Sequence, residues 1–296
     1  MADIALGQHP LLRKKFIDRR INGLVENQFV ADQLFTKINV DALAIEYAVE
    51  DTDVQENRKE KLDPVGEIGE RSGYPRVGIS EAQKTQMIRK YGLEAVITYE
   101  MQKFGQGANG AIERRLRKLA TNVRGMVDEM AYNVATNSYT IGNGIQGLDK
   151  GGNNPWTDPT NGAENMIADL VNARTAGRKY GYSLDTIVMN PEQEAQFLKN
   201  KNIRDAFREN DTDVALLRGY IGDFLGFSFI VDEKFKENNL LIVQKKQIGD
   251  IADAESLNTQ VYNEEANEHT VVRAKRFTTA YLTDPKAVYL LKNFNA

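Results

Sequence analysis

The stretch AIERRLRKLATNVRGMVDEMAYNVATN, residues 111–137, decides how the rest of the chain is read. Ile112, Leu116, Leu119, Val123, Met126, Met130 and Val134 recur at spacings of three and four, so at 100° per residue they form one stripe. The opposite side carries Arg114, Arg117, Lys118, Arg124 and Asp128, with Glu113 and Arg115 nearer the flanks. The spacing predicts a rod of roughly 40 Å, more than twice the ~11–12-residue average helix. Such a helix suits the brace of a flat or extended molecule. Its basic face reads either as a solvated surface or as one turned toward a polyanion.

Toward the N-terminus, Ile45–Glu50 reads as a strand with Ile45, Tyr47 and Val49 on one side, and Leu93–Tyr99 as another. Between them, from Asp51 to about Lys90, charge is dense and Pro64, Gly66, Gly69, Gly73, Pro75 and Gly78 punctuate the chain. Apolar residues there are few, mainly Leu62, Val65, Ile68, Val77 and Ile79. A segment this long with so little to bury is expected to protrude as a charged hairpin, steadied by a neighbouring chain. The plainer alternative is a solvated loop. Upstream, Arg13, Lys14, Lys15, Arg19 and Arg20 crowd together. They mark either an arm that reaches onto something else or a helix with a solvated basic face.

Toward the C-terminus, residues 138–162 mix Gly142, Gly144, Gly147, Gly151, Gly152 and Gly162 with Asn143, Asn153, Asn154, Pro155 and Pro159. That density of turn-formers predicts a long irregular connection at a domain boundary, with the one tryptophan, Trp156, inside it. Mixed α/β structure follows. A helix over 163–179 stops at Gly181, and Thr186–Met189 is a short buried strand. Asn190 and Pro191 cap and open a further helix. Phe227–Val231, Leu240–Val243, His269–Phe277 and Ala287–Leu291 read as later strands.

Composition excludes whole classes of chemistry. The 296 residues carry 38 basic and 42 acidic side chains, a net charge of −4, so bulk charge announces no nucleic-acid binding. Cysteine is absent, which removes disulfides, thiolate catalysis and Fe–S clusters; His9 and His269 are too few for a histidine metal centre. No apolar run approaches the ~18 residues of a membrane span, and the N-terminus lacks a signal-peptide core. A soluble protein of a reducing compartment is expected. Gly105–Gly110 matches GxGxxG, but the acidic position ~20 residues on falls inside the long helix instead of after a second strand. Asp51-Thr52-Asp53 and Asp211-Thr212-Asp213 lack the glycine and glutamate of a calcium loop. No catalytic residue, metal ligand or cofactor is expected.

The order of segments, with three passages, carries a resemblance. Asp185-Thr186-Ile187-Val188-Met189-Asn190-Pro191, then Gly222 through Val231, then Arg273-Ala274-Lys275-Arg276 leading to Tyr281-Leu282-Thr283-Asp284-Pro285-Lys286-Ala287-Val288, resemble the major capsid protein of tailed bacteriophages. Its HK97-type fold is shared with encapsulin shells. The resemblance implies an α+β fold divided into an N-terminal arm (1–40), an extended β-hairpin loop with its flanking strands (41–99) and a peripheral domain with the spine helix (100–144). An α/β axial domain (145–250) and closing peripheral strands (251–296) complete it. The implied function is a structural capsid protein of the virion that self-assembles, in the host cytoplasm, into pentamers and hexamers of an icosahedral shell around double-stranded DNA. Implied partners are further copies, a scaffolding protein, a portal, a decoration protein and non-specifically bound DNA, with no membrane.

On this resemblance Arg58, Lys59, Lys61, Glu67, Glu70, Arg71, Tyr74 and Arg76 lie in the inter-subunit loop. Arg13, Lys14, Lys15, Arg114, Arg117 and Lys118 face DNA. Some relatives are cross-linked through lysine and asparagine; Lys59 or Lys61 could be imagined in that role, but nothing in the sequence selects them. An encapsulin-like cargo compartment is the alternative function, and a dinucleotide-binding enzyme the remote one.

Overall fold

The computed structural model describes residues 29–50, 81–103, 108–200 and 224–295 without a break. It also describes Leu12, Lys14, Lys15, Ile17, Arg19, Ile21, Glu67, Ile68, Glu70, Gly73 and Tyr74 singly. Its longest element is helix α3, Ala108–Ala135, preceded by α1 (Val30–Leu34) and α2 (Tyr99–Lys103). At 1.5 Å per residue the 28 residues of α3 span about 42 Å. Three successive left-handed residues, Asn137, Ser138 and Tyr139, end its run.

One face of α3 lies on a four-stranded sheet in the order β1 (Thr36–Asn39), β9 (Gly249–Glu264), β10 (His269–Leu282), β4 (Arg89–Thr98). Ile112, Leu116, Leu119 and Val123 are buried as the stripe requires, but the buried line then drifts to Val127, Ala131, Tyr132 and Ala135. Met126, Met130 and Val134 are left half-buried. A straight helix crossing a twisted sheet turns a changing face toward it, so no single stripe serves its whole length. Asp128, expected on the solvated side, is fully buried because the N-terminal segment covers that side of the helix.

A five-stranded sheet runs β5 (Gln146–Asp149), β11 (Val288–Lys292), β8 (Asn239–Val243), β6 (Thr186–Met189), β7 (Ser228–Val231). Its central strands are buried along their whole length or nearly so, as their unbroken apolar runs require. Helices α4 (Gly162–Lys179) and α5 (Pro191–Lys199) supply the crossovers. Asn190 caps α5 through a reciprocal capping box with Gln193, and Pro191 opens the first turn, as expected.

One expectation needs correction, and one segment serves both sheets. Residues 138–162 are not wholly irregular: β5 lies within them, parallel to β11, and Trp156 is 2% exposed. Glycine hides such a strand from pattern reading; at Gly147 an added Cβ would meet the Leu290 carbonyl oxygen, so the close approach of β11 excludes a side chain there. The closing segment 251–296 is also split between sheets. β9 and β10 build the first, whereas β11 crosses to pair with β8 in the second, where its Val-Tyr-Leu-Leu run is buried.

Candidate assembly surfaces

The charged stretch between the first two expected strands begins and ends in a ribbon. β2 (Ala44–Glu50) pairs antiparallel with β3 (Glu81–Met87), from Ala44 opposite Met87 to Glu50 opposite Glu81. The ribbon is anchored at its base. Tyr47 stacks on Tyr281 of β10, ring centroids 4.2 Å apart, and Ile38, Val40 and Ile45 pack around Ile88 and Ala252. Away from that contact β3 is bare, all of it except Gln86 being exposed, while Val49 of β2 is buried; at the base Leu43 and Met87 are 61% and 68% exposed. Apolar side chains left in water at the base of a ribbon mark a contact surface.

Of the expected inter-subunit residues, Glu67, Glu70 and Tyr74 are exposed, Tyr74 at 81%. Arg58, Lys59, Lys61, Arg71 and Arg76 lie outside the described residues, as does most of the 51–80 connection. Of the expected DNA-facing residues, Lys14, Lys15, Arg114, Arg117 and Lys118 are exposed and Arg13 lies outside the description. Arg115 is used inside the fold, donating to the Val96 carbonyl oxygen of β4. Arg124 belongs less to the basic face than its position suggests: it is half-buried and its Nε lies 3.3 Å from Asp128 Oδ2.

The turn Gly105–Gly107 also lies outside the described residues. Helix α3 runs unbroken through Asp128 and Glu129, so no strand presents an acidic residue to a ribose there. Among the described residues no cluster of histidine, aspartate and glutamate is suited to a metal ion. Among the described residues no helix is long and apolar enough to cross a membrane.

Sequence reading missed the polar clamps that hold these surfaces. The segment from Phe29 to Phe35 is fastened at three points. Asp128 Oδ1 accepts the Ala31 amide at 2.9 Å; Arg276 Nη2 donates to Asp32 at 2.9 Å; Lys246 Nζ donates to the carbonyls of Asp32 and Phe35 at 2.6 and 2.9 Å. Burial pushes the Asp128 carboxyl up to about 7, against the pull of the Ala31 amide, and nearby Asp232 adds to the rise. Tyr132 donates to Asp232 at 2.5 Å, and burial with that carboxylate raises its phenol far above the ordinary range. In the second sheet Asp169 accepts from Lys150 and from the Trp156 indole, both at 2.7 Å. No pattern in the sequence marks these pairs, because their partners are 13 to 244 residues apart.

Comparison with known proteins follows the geometry. A family model described as phage capsid protein matches residues 81–291. Among solved structures, the capsid of the cyanophage P-SCSP1u is similar with a TM-score of 0.62 at 10% identity, covering 90% of this chain and 89% of that one. The virus-like particle from Pyrococcus furiosus is similar with a TM-score of 0.59 at 12% identity, covering 94% and 97%. The capsid of a native GTA particle is similar with a TM-score of 0.55 at 15% identity, covering 89% of each. At such identities the likeness concerns the fold. A search of curated proteins returned no match.

Proposed function

The chain belongs to the phage capsid protein family, and from that premise we propose that it is the structural subunit of an icosahedral shell enclosing double-stranded DNA. Its copies would meet as pentamers and hexamers, assembled in the host cytoplasm and retained in the virion. Its work is contact, not catalysis. The observation that carries this reading is the β2–β3 ribbon, anchored at Tyr47 and Tyr281 and bare along β3, with exposed Leu43 and Met87. An extension of that kind gains its buried area from another copy.

The division of labour we infer follows the segments: arm 1–40, extended loop 41–99, peripheral body 100–144 with the long helix, axial body 145–250, and closing strands 251–296. A ring of axial bodies needs heterologous contacts, which close about five- and six-fold positions. Exposed ion pairs along the loop would contribute only ~0–1 kcal/mol each, so the shell relies on their number and on apolar anchors such as Tyr74 and Ile68. Lys14, Lys15, Arg114, Arg117 and Lys118 would meet phosphates without sequence preference. Scaffolding, portal and decoration proteins complete the proposed partners.

The test keeps both strands of the ribbon. Replacing residues 51–80 by a two-residue Asn-Gly turn joins Glu50 to Glu81, the last facing pair. The expected product is a folded subunit that forms no closed particle in electron micrographs. Normal particles from that variant would end the assignment of the loop as the clasp. The likeness to a virus-like particle supports a second reading, an encapsulin-like shell that encloses protein cargo. Nuclease-protected nucleic acid inside purified particles decides for the first; a co-purifying enclosed protein decides for the second.

A further inference from the structure

Among the described residues the four-stranded sheet ends in an unused edge. β4 is ten residues long and, among them, pairs on one side only, with β10. Tyr99, opposite Glu268 in the continuing register, donates its amide to the Glu268 carbonyl at 3.0 Å. Odd-numbered residues of β4 therefore turn their backbone groups toward β10, and even-numbered residues turn theirs outward. The Val96 carbonyl, which accepts from Arg115, agrees with this parity. Lys90, Gly92 and Glu94 then present amides and carbonyls away from the sheet, and all three residues are exposed. Beside them Leu93 and Val96 are 37% and 38% exposed. A long, exposed edge of this kind is a template for another strand, and proteins that stay apart blunt it.

We propose that β4 pairs antiparallel with β4 of a second copy across a two-fold axis at Gly92, joining two four-stranded sheets into one. The proposal rests on the shell reading for the identity of the partner. The register follows from charge, with the partner's Lys90 joining a Glu94 that Arg273 of the same chain already holds. Centring the pair on Gly92 sets Lys90 of each strand opposite Glu94 of the other and Tyr91 opposite Leu93. Centring it on Lys90 or Glu94 would oppose like charges, which is destabilising, and centring it on Tyr91 or Leu93 would leave both charges opposite uncharged residues. In the Gly92 register, residues 90, 92 and 94 each exchange both backbone bonds with their partners, six in all by the antiparallel rule. Gly92 has an internal reason as well, since an added Cβ would come 2.9 Å from the Ala274 carbonyl oxygen; the same absence leaves the axis clear.

The chain has no cysteine, so introduced thiols report without background. Facing residues in such pairs have Cα atoms ~5.5 Å apart, inside disulfide range. Two copies of residue 90 would be offset by four residues, ~13 Å, and out of range. Lys90→Cys and Glu94→Cys are prepared separately, mixed, assembled and mildly oxidised. The expected result is a disulfide-linked dimer in the mixture and none in either variant alone. Equal dimer in all three samples would mean chance collision and overturn the proposal, as would none in any. Amide hydrogen exchange of the unmodified protein gives an independent measure: Gly92 and Glu94 amides should exchange slowly in assemblies and fast in the isolated subunit. Fast exchange in both, or protection in the isolated subunit through its own chain, rejects the pairing. If the unmodified chain forms particles and these results fail, only the β4 contact is lost. If it forms none, the shell reading fails, and the mixture experiment on the concentrated subunit still decides the contact.

Discussion

Arg276 and Asp253 meet across β10 and β9 through two hydrogen bonds, Nε to Oδ1 at 2.9 Å and Nη2 to Oδ2 at 3.0 Å, with side chains 2% and 0% exposed. The ladder between these strands shifts register around Lys275 and Phe277, and Arg276 sits at that irregularity. The alternation of β10 places the guanidinium on the inner side with Ala274 and Thr278, over the Phe29 ring at 4.8 Å and onto Asp32. One side chain thus ties the N-terminal segment to both long strands. Removing one partner of a buried pair leaves the other charge stranded, which costs about 3–5 kcal/mol. Arg276→Ala is expected to lower the urea stability by that amount. Arg276→Met combined with Asp253→Leu is expected to lose much less. Equal losses would assign the effect to shape instead of charge.

Asp128 predicts a pH dependence. Its carboxyl rises from an ordinary 3.8 to about 7 on folding, chiefly through burial. The folded chain therefore holds a proton that the unfolded chain has released between those values. This contribution to stability is complete below about 4 and is lost as pH rises toward 7, with a slope of up to about 1.4 kcal/mol per pH unit. Asp128→Asn keeps an acceptor for the Ala31 amide and removes the titration. Its urea midpoint, compared with the unmodified chain at pH 5 and pH 8, should gain relative stability at the higher pH. A constant difference would refute the protonated carboxyl.

Trp156 offers a direct readout of the second sheet. Its ring lies 4.1 Å from Phe294 and 5.3 Å from Phe197, and its indole donates to Asp169. Asp169→Ala strands the buried Lys150 ammonium and is expected to cost about 3–5 kcal/mol. The tryptophan emission should shift to the red at a lower denaturant concentration than in the unmodified protein. An unchanged midpoint would show that Lys150 finds water on its own.

The basic face of α3 has a salt signature. If Arg114, Arg117 and Lys118 contact phosphates, changing all three to glutamine should lower the slope of log affinity for double-stranded DNA against log salt by up to about 3. Gel shifts across a salt series would measure it. An unchanged slope removes these residues from any DNA-facing surface and leaves them a solvated face.

Much of the fold was legible because periodicity is a local signal. The stripe from Ile112 to Val123, the Asn190–Pro191 start of α5, and the strands at Thr186, Leu240 and Val288 each announce themselves within a few residues. β9 did not. Its sequence, GDIADAESLNTQVYNE, alternates poorly because ladders to β1 and β10 on both sides hold it, not a row of apolar side chains. The exposed candidates were legible as charge. The described ones, Glu67, Glu70, Lys14, Lys15, Arg114, Arg117 and Lys118, are indeed at the surface.

What the sequence by itself determined was the inventory: a long amphipathic helix, short apolar strands, a charged stretch with little to bury, no thiol, and too few histidines for a histidine metal centre. Each follows from residue spacing or composition, which no fold can change. Tertiary structure alone decided which polar residues leave solvent. Asp128 reads as one more charge on a basic face until Ala31 closes over it, and Arg276 reads as one of three nearby cations until Asp253, Asp32 and Phe29 enclose it. The free edge of β4 is likewise invisible in sequence. An edge is defined by the strand that is missing beside it, and only the folded sheet shows which side is left unpaired among the described residues.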